Sequence, residues 1–121
     1  MSKTLSHKVG EIGQDNLIAK LYPPTETFAV KIPAGAGVVK RGTVLALVNG
    51  AYAVLASGNT GKANCVLVDD VDATAGEAVG VAYRTGHFNR KALIVANGYT
   101  LTAADEEELR KGGILLSDML A

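Results

Sequence analysis

Five side chains able to bind ions or move protons fall within eight positions of the stretch RTGHFNRKAL, residues 84–93: Arg84, His87, Asn89, Arg90 and Lys91. His87 is one of only two histidines in the chain. An imidazole among guanidinium and amide groups is what a general base or an anion site would use. The nucleophile for such a base would have to be Cys65, the one thiol. Cys65 opens the apolar run CVLV, where a thiol behaves as a small hydrophobe. No basic group stands beside it to favour the thiolate. There is also no G-x-S-x-G elbow. The chain is therefore not read as an enzyme. His87, Asn89, Arg90 and Lys91 are read as surface or subunit-interface groups. His7 stands alone in a polar N-terminal segment, too isolated to hold a metal.

Two further stretches invite chemistry and fail on spacing. SGNTGKAN, residues 57–64, looks like a phosphate loop. That pattern needs Gly at 56 and Ser or Thr at 63, and both positions are Ala. Asp69, Asp70 and Asp72 lie close together, but the remaining ligands and the turn glycine of a calcium loop are missing. No metal and no cofactor is expected.

Composition narrows the class. Twelve Lys and Arg balance twelve Asp and Glu, so the chain lacks the field that drives nonspecific binding to nucleic acid or an anionic membrane. No apolar run approaches the roughly 20 residues of a membrane span. The N-terminus shows no secretory h-region, which fits synthesis in the cytoplasm. A length of 121 residues favours one domain. Hydrophobic residues reach 48% while aromatics are only 5% and Trp is absent, so Ala, Val, Leu and Ile must build the core. Each small side chain buries little area, at roughly 25 cal/mol per Å². Such a core gains from assembly.

The elements that must position these residues are mostly strands. Residues 1–26 are polar and mixed in charge, with Leu17, Ile18, Leu21 and Tyr22 near their end and Pro23-Pro24 stiffening the exit. They are expected to form an extended arm, followed by a β-rich body over 27–121. In TFAVKI, Phe28, Val30 and Ile32 share one face. PAGAG is a turn. TVLALVNGAYAVLA predicts a hairpin, because Asn49-Gly50 suits a type I′ turn. CVLV and VGVAYRT follow as strands, with Val79, Val81, Tyr83 and Thr85 on one face and Gly86 as the break. KALIVANG is another apolar run. TAADEEELRK is the one good helix, with Thr102 as N-cap, Asp105 at the capping-box position and Gly112-Gly113 as its stop. ILLSDML is a short strand or packed tail. The fold class is mainly β with one short C-terminal helix (α+β), a small barrel- or sandwich-like body with an extended N-terminal arm.

Two resemblances attach to these strands. AGAGVVKRGTVLALV is similar to lipoyl-type barrel modules, but its turn, Asn49-Gly50, offers no acceptor lysine, so a carrier role is set aside. The run from Arg41 to Asn89 resembles, more completely, the lambda-type bacteriophage head decoration protein family. The likeness lies in the apolar hairpin, the Gly-rich loop, and a strand carrying Ala75, Gly76, Val79, Val81, Tyr83, Gly86 and Phe88. With the helix and GGILL it spans roughly residues 41–116.

The resemblance implies a homotrimer on the outside of the expanded head, at threefold and quasi-threefold positions. There it would cement the major capsid protein against the pressure of packaged DNA. It also implies that the arm reaches the capsid protein, and the arm residues assigned to that contact are Thr4, Leu5, Val9, Ile12, Leu17, Ile18, Leu21 and Tyr22. The arm is expected to be mobile in the free protein and ordered on the capsid. A different class remains open beside it: a small barrel binding a host-surface carbohydrate or peptide through loops 57–64 and 69–76.

Overall fold

A computed structural model describes residues 17–118. Among them are nine strands, one α-helix and two short 3₁₀ turns. The strands are β1 (Ile18–Lys20), β2 (Glu26–Ile32), β3 (Gly37–Val39), β4 (Val44–Val48), β5 (Ala51–Val54), β6 (Ala63–Leu67), β7 (Val71–Ala73), β8 (Ala78–Asn89) and β9 (Ile114–Ser117). The helix α1 covers Ala103–Gly112. Seven strands make one sheet with the order β1-β8-β6-β4-β5, and β2 and β9 also pair with β8. A separate ribbon pairs β3 with β7. The mainly β class with a late helix is as expected, but the sheet is not a closed barrel. Its path ends at β1 and β5, which do not pair with each other.

Local sequence dictates the hairpin. Asn49 and Gly50 both take positive φ, 52° and 82°. β4 and β5 pair around them in register, Val48 opposite Ala51 and Leu47 opposite Tyr52. Apart from the exposed Asn64, β4 and β6 are apolar on both faces because both faces are covered. Val44, Ala46 and Val66 enter one core with Phe88, Leu109 and Ile114. Leu45, Cys65 and Leu67 enter a second with Val30, Ile32 and Ala82. The run KALIVANG forms no regular strand. It lies over the first core through Ala92, Leu93 and Val95, with one bridge from Thr43 to Ile94.

Two sequence expectations need correction. Gly86 does not end the strand predicted in VGVAYRT, since β8 continues to Asn89. Gly86 has φ 150°, and a Cβ there would lie 2.8 Å from the Phe88 ring and 3.1 Å from Thr25. The glycine serves close approach and does not break the strand. The boundary at Thr27 also moves. Leu17 is 2% exposed and packs in the first core. Its carbonyl accepts from Asn89 N–H at 2.7 Å, and β1 pairs with β8. Leu17 and Ile18 therefore belong to the body, although the sequence reading gave them to the arm. Thr4, Leu5, Val9 and Ile12 lie outside the described residues.

Candidate functional site

The cluster that opened the sequence reading is distributed among structural tasks. Arg84 lies over the Phe28 ring, 4.8 Å from its centroid, and Phe28 meets Tyr52 edge-on. His87 Nε2 and Ser117 Oγ are 3.0 Å apart, linking β8 to β9. Phe88 is a core residue. Asn89 caps the 3₁₀ turn Arg90–Ala92, its Oδ1 accepting from Lys91 N–H at 3.1 Å. Arg90 donates through Nε and Nη2 to both oxygens of Glu106, at 2.8 and 3.0 Å, and through Nη1 to Asp118 at 2.8 Å. The hydrogen bonds it donates to Glu106 and Asp118 push the guanidinium pKa up. Arg90 thus clamps the ends of β8 and β9 to α1.

The other candidates are also occupied. Asp72 accepts from Thr74 N–H at 3.0 Å in a turn, and hydrogen bonds from the Thr74 side chain and then its backbone draw the carboxyl pKa down. Asp70 accepts from Arg41 N–H at 2.8 Å. No cluster of three or more His, Cys, Asp or Glu among the described residues is arranged to hold a metal ion. No helix among them is long and apolar enough to cross a membrane.

Loop 57–61 is fastened by Asp105, which is fully buried. Asp105 Oδ1 accepts from Gly61 N–H at 3.0 Å. Its Oδ2 accepts from Thr102 N–H and Oγ1, each at 2.9 Å, and from the Tyr99 hydroxyl. Thr102 Oγ1 in turn accepts from Asp105 N–H at 3.1 Å, completing the capping box. Burial alone would raise the Asp105 pKa. The hydrogen bonds from Tyr99, Gly61 and Thr102 outweigh it and hold the carboxyl below its usual range. The capping role was legible from Thr102-x-x-Asp105; the reach to loop 57–61 was not, because it joins residues 44 apart in the chain.

Cys65 is buried, and burial pushes its thiol up to about 12. It sits in the second core, whereas His87 faces α1 and β9, so the two form no dyad. Ellman's reagent is expected to leave Cys65 untouched in the native protein near neutral pH and to titrate one thiol after unfolding. Rapid native reaction would contradict this placement.

What remains open is a surface. Leu21 and Tyr22 are 86% and 80% exposed, on a strap that crosses from β1 to β2. The Thr85 hydroxyl holds the strap by donating to Pro24 O at 2.7 Å. Beside it lies a depression lined by Tyr22, Pro23, Pro24, Thr85, Gly113 and Leu115. These two exposed side chains flank a hollow that also takes in Glu26. Val79 and Val81 are also exposed, because the face they share with Tyr83 is covered only from Tyr83 onward.

No curated protein matches the chain. The family model described as Bacteriophage lambda head decoration protein D matches residues 11–114.

Proposed function

The chain belongs to the bacteriophage lambda head decoration protein D family, a family of structural capsid proteins, and from that premise we propose that it cements the expanded phage head from outside. In this reading three copies assemble at each threefold and quasi-threefold position, bind neighbouring copies of the major capsid protein and oppose the pressure of packaged DNA. The observation that carries the reading is the family match over residues 11–114. The separation of Cys65 from His87 is consistent with it, as is zero net charge on a surface turned away from DNA.

The arm ahead of β1 supplies the reach. Sixteen residues precede Leu17, enough for roughly 50 Å of extended chain. Thr4, Leu5, Val9 and Ile12 are proposed to contact the capsid protein, together with the exposed Leu21 and Tyr22. Leu17 and Ile18 anchor the arm to the body instead. Strand addition supplies main-chain hydrogen bonds, and three arms per assembly raise the effective concentration of each.

Two measurements test this. Purified chain should co-sediment with expanded, undecorated capsids of its own phage, and no binding to mature shells would sink the reading. Light scattering in dilute buffer should give the mass of a closed trimer. A monomer at every concentration, on shells as well as in solution, would remove the trimer.

A further inference from the structure

We propose that copies of this chain meet head to tail, the β3–β7 ribbon of one docking on the uncovered end of the β2–β8 face of the next, with Asp72 of the ribbon against Lys31 of the face. The proposal rests on the trimer reading above and names the two surfaces that build it.

The first surface follows from strand alternation. In β2 and β8, Val30, Ile32 and Ala82 enter the second core. Successive side chains alternate between faces, so Ala29, Lys31, Val79 and Val81 lie on the other side. Register sets Ala29 opposite Val81 and Lys31 opposite Val79, which makes the four a contiguous patch. Val79 and Val81 are 67% and 43% exposed. The first core covers this face at Tyr83 and leaves the two valines bare. Sheets pack face to face through such short apolar side chains.

The second surface has the same make-up and the opposite sign. In the ribbon, Val39, Val71 and Ala73 enter the second core. Val38 and Asp72 stand opposite each other in register and point away from it. Val38 is 55% exposed. Hydrogen bonds from Thr74 favour the charged form of Asp72.

The two surfaces cannot meet within one copy. A Cβ on Gly80 would lie 2.6 Å from the Val71 side chain, so β7 packs against the second-core side of β8. The patch is on the opposite side of the same strand. Neither Lys31 nor Asp72 has an ion-pair partner among the described residues. A second copy supplies each with the missing charge and covers the bare valines. Zero net charge leaves no general repulsion between copies. Two different surfaces make a heterologous contact, which closes into a ring when its rotation allows. The strap with Leu21 and Tyr22 lies toward the other end of β8, where Pro24 meets Thr85, and stays free for the shell.

The test uses the full chain in dilute buffer. Lys31→Glu and Asp72→Lys, each checked for fold by circular dichroism, should each weaken self-association about tenfold or more, because each sets like charges against one another. The double variant should regain most of the loss, since it restores the pair with its signs exchanged. Undiminished association by either single variant would overturn the proposal, as would a double variant no better than the singles. Val38→Cys with Val79→Cys in one chain should be linked between copies by a short bifunctional thiol reagent, while buried Cys65 stays out. Linkage of Val79→Cys alone to its own kind would mean a two-fold contact and would overturn the head-to-tail order. A parent chain that is monomeric at every concentration, on shells as well, would bring down the trimer reading and this proposal together. A parent trimer indifferent to positions 31 and 72 would bring down this proposal alone.

Discussion

Asp105→Ala is expected to destabilise the fold by roughly 3 kcal/mol, about 10 °C in melting temperature for a domain of this size. The side chain is fully buried and accepts from Gly61, Thr102 and Tyr99. Truncation leaves those part-buried donors without their acceptor, and each such loss costs about 1–3 kcal/mol. It also removes half of the capping box that starts α1. Thr102→Ala, which removes only the cap hydroxyl, should cost about 1 kcal/mol. The same site sets an acid limit. Because the folded pKa of Asp105 lies below its unfolded value, its contribution is fully present above the unfolded value, about 4. It is lost as pH falls from there through the folded pKa. Melting curves at pH 7 and pH 3 check both points. The gap between parent and Asp105→Asn should narrow at the lower pH, and a gap that widens would contradict the assignment.

Removing residues 1–16 is expected to leave the body folded and to weaken shell binding by about a hundredfold or more. The buried side chains of both described cores begin at Leu17. β1 starts at Ile18, so a cut before Leu17 spares its pairing with β8. The loss of affinity should be large because each trimer gives up three contacts at once. Circular dichroism and a melt establish the fold, and co-sedimentation with expanded shells establishes the binding. Binding as tight as that of the full chain would mean that the body carries the affinity. A truncated chain that does not fold would mean that the arm is part of the core.

The arm's boundary shows where sequence reading reached its limit. Leu21 and Tyr22 were recognisable as apolar residues without a local partner, and they are exposed. Leu17 looked the same in sequence. Its burial rests on the backbone of Asn89, which donates to its carbonyl, and on first-core side chains such as Phe88 that it packs among. Neither is near it in the chain. Gly86 was misread for a related reason. A glycine after a β-prone run signals a break, but here it clears space for the Phe88 ring within a continuous strand.

Features written into short windows were legible. Asn49-Gly50 set the hairpin, and Thr102, Asp105 and Gly113 set the helix ends. The parallel pairing of β9 with β8 left no local trace. His87 and its neighbours drew notice as chemistry because ionisable residues cluster in the sequence. The fold spends them on a cation–π contact, a turn cap and a three-way clamp.

The central claim is that this chain decorates the outside of the phage head. Cryo-microscopy of expanded, undecorated shells after incubation with the purified chain tests it most directly. The account predicts added density on the outer surface, in groups of three copies around the threefold and quasi-threefold positions. Shells that stay bare at saturating protein, or that gain density at other positions, would contradict it.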